Sequence, residues 1–373
     1  MALSQTEGEF LTLHELVRAA HKKLDRNTWD YLIGGTGTET TLLRNRQALD
    51  RLAFRPRVLN DVSSIDASHR FLGKKIRLPV VLAPVGGLEA IASEGGLQTA
   101  RGAAAGGVPF ILSSVSDAGM QAVGKAATGM KIFQLYTRGD ADWVDGQVRQ
   151  AMELGYDAFC ITVDSAVYSR RERDIAKRFA KPWRARGDQG TSAGPRGMRY
   201  QAAFNWSDVR RLREKFDIKL ILKGIGTAED AELACQAGID CVYVSNHGGR
   251  QLDHGLGAIE VLPEVVAAVA GRASIAVDGG FSRGSDVVKA LALGADVVGI
   301  GRLYCYGLAA AGSDGIVRTL QLLEDEIVEC LGLLGVTKLG ELNARHVCKA
   351  EPVVPPHVHS AFPLITLPKE DYA

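Results

Sequence analysis

The stretch "LILKGIGTAEDAELACQAGIDCVYVSNH", residues 220–247, contains a complete strand–helix–strand unit. Its two ends, "LILKGI" (220–225) and "CVYVSNH" (241–247), open on continuous apolar runs rich in β-branched residues. Unbroken runs of this kind mark strands buried on both faces, as in parallel sheets. Between them, "TAEDAELACQAG" is rich in alanine, opens on a threonine able to cap a helix and closes on glycine.

The same unit recurs on both sides. Further apolar runs stand at "PVVLAP" (79–84), "PFILS" (109–113), "KIFQLY" (131–136), "AFCITVD" (158–164), "SIAVDGG" (274–280) and "DVVGIGR" (296–302), with helix-like segments such as "GSDVVKALALGA" between them. Eight strand–helix units predict an α/β fold of the (β/α)8 TIM-barrel type, and such barrels commonly exceed 250 residues as one domain. The rival is a doubly wound open sheet, which has fewer strands and wants a G-x-G-x-x-G turn after the first one. Here that turn reads "PVGGLEAIASEGG". The expected layout is a single domain over 1–373, with a barrel at about 75–330. A helical extension over 9–50, broken at "DYLIGGTGTET", precedes it. The basic, glycine-rich stretch 181–205 reads as a lid loop after the fourth strand, and the Pro-rich tail 349–373 as an extended segment over the surface or onto a neighbouring subunit.

Bulk properties narrow the partners. With 44 basic and 43 acidic side chains the net charge is +1, so no broad basic face for nucleic acid is expected. The six cysteines include no C-x-x-C pair, which suits a reducing compartment, and they read as buried small hydrophobes. The N-terminus lacks an apolar signal core, and no run of 18 apolar residues occurs. A cytoplasmic protein acting on a small molecule is expected, with no membrane partner.

In such a barrel the active site lies at the C-terminal strand ends. Those ends carry Gly86, Ser113, Gln134, Tyr136, Thr162, Asp164, Lys223, His247, Arg250, Asp278, Gly279, Gly280, Gly301 and Arg302. "DGGFSRGSD" and "GIGR" put glycines where backbone N–H groups can approach a phosphate, with Arg302 as a fixed cation. That predicts a phosphate monoester as cofactor or substrate. Lys223 in the barrel mouth needs an anion, either one formed during reaction or an acidic side chain nearby. His247, two glycines and Arg250 can set a base and a guanidinium around one carboxylate substrate, with Asp164 steadying the imidazolium.

These residues resemble the FMN-dependent 2-hydroxy acid oxidase and dehydrogenase family, which includes glycolate oxidase, lactate oxidase and mandelate dehydrogenase. "SNHGGRQLD" matches its signature, flanked in order by "FQLY", "TVD", "RRERDI", "LKGI", "DGG" and "IGR", and the likeness runs from about residue 20 to about 347. The resemblance implies oxidation of an (S)-2-hydroxy acid to the 2-keto acid with FMN as cofactor. It assigns proton removal to His247 with Asp164, the substrate carboxylate to Arg250, Arg171 and Tyr31, and the substrate hydroxyl side to Tyr136. Lys223 would lie by flavin N1 and C2=O. Pro84, Val85, Gly86, Ser113, Gln134, Thr162 and Ser245 would frame the isoalloxazine. Asp278, Gly279, Gly280, Gly301 and Arg302 would take the ribityl phosphate. The electron acceptor would be O2, a quinone or a carrier protein, and a homo-oligomer, a tetramer by analogy, is implied.

Three departures bear on specificity. Val115 stands where short-chain oxidases often carry Trp, which predicts a wider pocket for a bulky or aromatic, mandelate-like substrate. Gly86 replaces a common Ala beside flavin N5, as in mandelate dehydrogenase, which argues against rapid peroxide formation. Ser282 stands where the family has an arginine near the phosphate, with Arg283 as a neighbour able to compensate. The alternatives are an FMN-barrel tailoring enzyme or isomerase acting on a larger molecule, and a non-catalytic flavin-binding scaffold. No metal site is expected, since His357 and His359 in the tail read as solvent-facing and lack a third ligand. His254 reads as an entrance residue or a helix cap.

Overall fold

The computed structural model describes residues 5–178 and 199–367. Eight parallel strands close into a barrel: β1 (Val80–Leu82), β2 (Phe110–Ser113), β3 (Lys131–Leu135), β4 (Ala158–Thr162), β5 (Lys219–Ile225), β6 (Cys241–Val244), β7 (Ser274–Val277) and β8 (Val297–Ile300). Closure comes from β8 returning to β1, with Val298 opposite Val80 and Ile300 opposite Leu82. An open doubly wound sheet is thereby excluded. Each expected apolar run contains one strand, but several strands stop where the polar residues begin. β6, for example, ends at Val244, and Ser245, Asn246 and His247 belong to the loop beyond.

Two apolar layers follow from the pleat. Residues pointing into the barrel, among them Val81, Ile111, Ile132, Cys160, Ile221, Cys241, Tyr243 and Val297, pack with Phe71 and Ile76 of a short antiparallel hairpin. Residues pointing outward pack under the helices in the larger core. The barrel interior is a filled core, and room for a ligand opens above its strand ends.

Ahead of the barrel, after a short helical stretch at Gln5–Glu9, stand the helices α1 (Leu13–Lys23), α2 (Arg26–Ile33) and α3 (Thr40–Asp50). The Asp25 carboxylate caps α2 by accepting from the N–H groups of Asn27 (2.9 Å) and Thr28 (3.1 Å). The expected break falls at Gly34–Glu39, just after α2. Helix α4 (Arg302–Leu334) follows β8 and kinks where Ala311 and Gly312 leave helical geometry; the Lys23 ammonium donates to the Ala310 carbonyl beside the kink.

Several expectations are corrected. The tail does run partly over the surface, with Val353 and Leu364 exposed, but Val347–Lys349 at its start pairs antiparallel with Leu52–Phe54, and His359 within it docks onto α2 and α4. His359 is buried rather than solvent-facing, because the Trp29 indole offers its ring a flat face; His357 is exposed. Cys160, Cys241 and Cys305 are buried, but Cys235 and Cys330 are half-buried and Cys348 is exposed; all six are free thiols. Residues 181–198 of the expected lid lie outside the described residues. Its last part is not loop: Arg199–Ala203 is helical. Among the described residues no helix is long and apolar enough to cross a membrane.

Candidate active site

Beyond β6 the chain turns through His247, Gly248 and Gly249, all at positive φ (59°, 62° and 76°). Glycine adopts this conformation freely, whereas a histidine there stores about 1–3 kcal/mol of strain, a cost met at functional sites. The turn is tied by the His247 N–H to Ser245 Oγ (3.0 Å) and the Gly249 N–H to Asn246 Oδ1 (3.1 Å). It brings the imidazole against two neighbouring strand ends. His247 Nδ1 lies 3.1 Å from Asp164 Oδ1, and Nε2 lies 3.2 Å from the Tyr136 hydroxyl. Gly224, at an irregularity in β5, makes room for this: a Cβ there would meet Asp164 Cβ at 2.7 Å.

The charges in this group are ordered by burial. Withdrawal from water lowers the His247 pKa; Asp164 pushes it back up without restoring it, while Lys223 and Arg171 add to the lowering. Burial raises the Asp164 carboxyl, yet His247, Lys223 and the Ser165 hydroxyl together hold it below the usual carboxylate range. Burial, reinforced by Asp164, pushes the Tyr136 phenol up, so it keeps its proton. At neutral pH the set is therefore a neutral imidazole donating from Nδ1 to an ionised carboxylate. Its Nε2 lone pair is left toward Tyr136 and the cavity.

Two guanidiniums converge opposite. Arg250 stands 4.8 Å and Arg171 5.8 Å from the centre of the Tyr31 ring, and the Tyr31 hydroxyl donates to the Gly86 carbonyl (3.2 Å). Arg250 is anchored by donating to the carbonyls of Tyr31 (2.7 Å) and Gly34 (2.8 Å). Burial and the nearby Arg171 lower its pKa to about 9. Among the described residues neither Arg250, Arg171 nor Arg302 has a carboxylate at ion-pair distance, so three cations face one cavity and call for anions.

Lys223 does have an acid. Its ammonium lies 3.1 Å from Asp278 Oδ2 and donates to Ser245 Oγ (2.7 Å), which in turn donates to Asp278 Oδ1 (2.6 Å). Burial disfavours the charge on Lys223, but Asp278 and Asp164 outweigh it and raise the pKa. A second buried chain runs across three strand ends, from Ser113 Oγ to Gln134 Oε1 (2.9 Å) and from Gln134 Nε2 to Thr162 Oγ1 (2.9 Å). Gln201, in the helix that ends the expected lid, adds to it by donating to the Thr162 carbonyl (2.8 Å) and accepting from the Thr137 N–H (2.6 Å).

A cavity opens to solvent above the barrel, where the strand ends and the α2 segment meet. Of the expected residues, Tyr31, Pro84, Val85, Gly86, Val115, Tyr136, Arg171, Lys223, His247, Arg250, Asp278, Gly279, Gly280, Gly301 and Arg302 line it. Asp164, Ser113, Gln134, Thr162 and Ser245 sit behind that lining as hydrogen-bond partners. Arg283 turns away: its guanidinium pairs with Glu326 and donates to the Ala361 carbonyl (3.2 Å). His254 bonds loosely to Thr38 (3.4 Å) and does not line the cavity.

Other lining residues were missed in the sequence. Arg46 stands beside Gly280 and Ser282, donating to the Gly280 carbonyl (3.2 Å) while Asp286 and Asp50 balance its charge. Arg199, Tyr200, Tyr306 and Val358 also reach the cavity. Tyr306 stands one turn past the "GIGR" motif on α4, while the others arrive from distant segments through packing.

A phosphorylated flavin fits this chemistry. Gly279 and Gly280 line the cavity at φ of 116° and 85°, a conformation that side chains rarely adopt, so bare backbone borders the cavity there. Gly301 precedes helix α4, whose first turn, starting at Arg302, presents N–H groups without intrahelical partners.

Residues 20–349 match the family described as FMN-dependent dehydrogenase. The chain is 38% identical over 354 residues to glycolate oxidase 1 of Zea mays, covering 91% of this chain and 96% of the relative. It is likewise 38% identical over 354 residues to glycolate oxidase of Spinacia oleracea, with the same coverage of 91% and 96%. Among solved structures, an oxidised active mutant of (S)-mandelate dehydrogenase superposes with a TM-score of 0.85 at 35% identity, covering 91% of this chain and 99% of that one. Mandelate oxidase with (S)-2-phenylpropionate gives 0.82 at 37% identity, covering 92% and 100%.

Proposed function

This chain belongs to the FMN-dependent dehydrogenase family and oxidises a 2-hydroxy acid with FMN; we propose that the acid it prefers is an (S)-enantiomer with a bulky or aromatic side chain. The observation that carries this reading is Val115 on the wall of a cavity that Tyr168, Tyr200 and Leu32 also line. A phenyl group moved from water into such a wall gains about 1.5–3 kcal/mol that glycolate, with only hydrogen in its place, cannot.

The chain's own residues then divide the work. Arg171 and Arg250 grip the substrate carboxylate, for which the planar guanidinium fork is suited, and Tyr31 supports both. His247 Nε2 takes a proton from the substrate, and Asp164 stabilises the imidazolium that results. Tyr136 orients the substrate hydroxyl with a phenol that stays protonated. Lys223, fixed by Asp278 and Ser245, supplies positive charge at the cofactor's edge. FMN, when bound, receives the two electrons. The lysine's own partner keeps it in place whether or not that charge is needed, which reconciles the two readings of Lys223.

Support from Gly86 extends to the acceptor: we take it to be a quinone or a carrier protein ahead of O2. The experiment mixes the yellow protein anaerobically with (S)-mandelate, (S)-lactate and glycolate in turn, follows flavin bleaching, then admits air. Fastest bleaching by mandelate with slow return of colour is expected. Equal rates with glycolate would remove the bulky-substrate reading, and immediate recolouring in air would remove the acceptor reading.

A further inference from the structure

The end of the tail, His357–Phe362, does more than cover the surface. Val358 lines the same cavity as Arg302 and Tyr306, the latter one turn further along α4. Both neighbours of Val358 that hold it are fixed independently. His359, 9% exposed, stacks on Trp29 with centroids 5.3 Å apart and planes at 22°, and its Nε2 lies 3.3 Å from the Tyr306 hydroxyl. Phe362, 1% exposed, sits edge-on to His14 (5.6 Å) and to Tyr306 (6.5 Å). Between them the Ala361 carbonyl accepts from Arg283 (3.2 Å). Five residues upstream Val353 is 95% exposed, so the docking is local to this stretch.

Anchoring a Pro-rich segment costs conformational entropy, and the stacking, the buried phenyl ring and the arginine offset it together. The contacts converge on α2 and the first turns of α4, which border the cavity at the Arg302 end. Arg283, which a phosphate could have claimed, is spent instead on holding the tail. We propose that His357–Phe362 is a strap that retains the cofactor: Val358 closes the Arg302–Tyr306 end of the cavity over bound FMN, and His359 and Phe362 are positioning residues that hold Val358 there. The proposal rests on FMN occupying this cavity and is independent of which hydroxy acid is oxidised. FMN must displace or pass the strap to leave, so the strap acts on the dissociation rate.

The test measures FMN release from the holoenzyme by the rise in flavin fluorescence on dilution, in full-length Val358→Gly and His359→Ala, with Val353→Gly as the exposed control. Removing the apolar closure is expected to speed release by roughly tenfold in each of the first two variants, in line with the withdrawal of one half-buried valine side chain from the cofactor. The control is expected to release FMN as the unaltered chain does. At saturating FMN, kcat of His359→Ala and Val353→Gly is expected to stay within about twofold, since neither residue lines the cavity. Unchanged release in Val358→Gly overturns the proposal. So does faster release in His359→Ala alone, because the segment would then act only by stabilising the fold.

Discussion

His247 Nδ1 and Asp164 Oδ1 lie 3.1 Å apart, joining loops that are 83 residues distant in sequence. The carboxylate fixes which imidazole nitrogen carries the proton, and so leaves Nε2 unprotonated, as the proposed base needs. Asp164→Asn keeps the shape but not the charge. A general base normally contributes about 10²- to 10⁴-fold, and the variant is expected to lose kcat within that range while still binding FMN. Stopped-flow bleaching of the variant at wild-type speed would show that the pair plays no part in proton removal.

The same pair sets a pH dependence. Burial depresses the His247 pKa below its ordinary 6.5, with Asp164 pushing it partly back. A depressed base stays in its active, neutral form as pH falls through 6.5, so the acidic limb of kcat/KM is expected below that value. In Asp164→Asn the raising charge is gone, and the limb is expected to move further toward acid as the rate drops. A limb above pH 6.5 in the unaltered enzyme would contradict this account.

Gly86 and Val115 compete for one space. A Cβ on Gly86 would sit 2.5 Å from Val115 Cγ2, a separation that real atoms do not tolerate. Gly86→Ala is expected to cost about 1–3 kcal/mol of stability through overpacking. Adding Val115→Ala is expected to recover most of that loss, since contacting residues couple. Urea unfolding of the two single variants and the double measures the coupling, and simple additivity would rule out the clash.

Lys223 and Asp278 are 3% and 7% exposed and face each other at 3.1 Å. Lys223→Met leaves a carboxylate buried without its cation, for which about 3–5 kcal/mol is the usual cost. Lys223→Met with Asp278→Asn removes both charges and is expected to be the more stable of the two. Denaturation midpoints of the apoproteins decide it; a single variant as stable as the unaltered chain would mean the pair is solvated.

The architecture was legible because each barrel strand is buried on both faces and so writes itself as an unbroken apolar run. Strand ends, and with them His247, Asp164 and Arg250, were legible because polar groups have no packing role there. What local pattern could not show is what arrives from elsewhere in the chain. Arg46 reaches Gly280 across 234 positions. His359 carries no signal of burial, since two histidines among prolines look hydrophilic until Trp29 and Tyr306 are placed beside them. Arg283 was misread for a related reason: its position in the glycine turn suits a phosphate, but Glu326 on α4 captures it.

The seam of the barrel, where Val298, Gly299 and Ile300 pair with Val80, Val81 and Leu82, has a consequence for biogenesis. Two walls of the cavity, Pro84–Gly86 and Gly299–Arg302, stand on opposite sides of that seam. Contacts of such long sequence separation form late in folding. On the ribosome the first wall is made long before the second exists, so a nascent chain has no complete pocket to offer. Flavin capture is therefore an event of the finished polypeptide, and a chain truncated before β8 would leave the ribosome colourless.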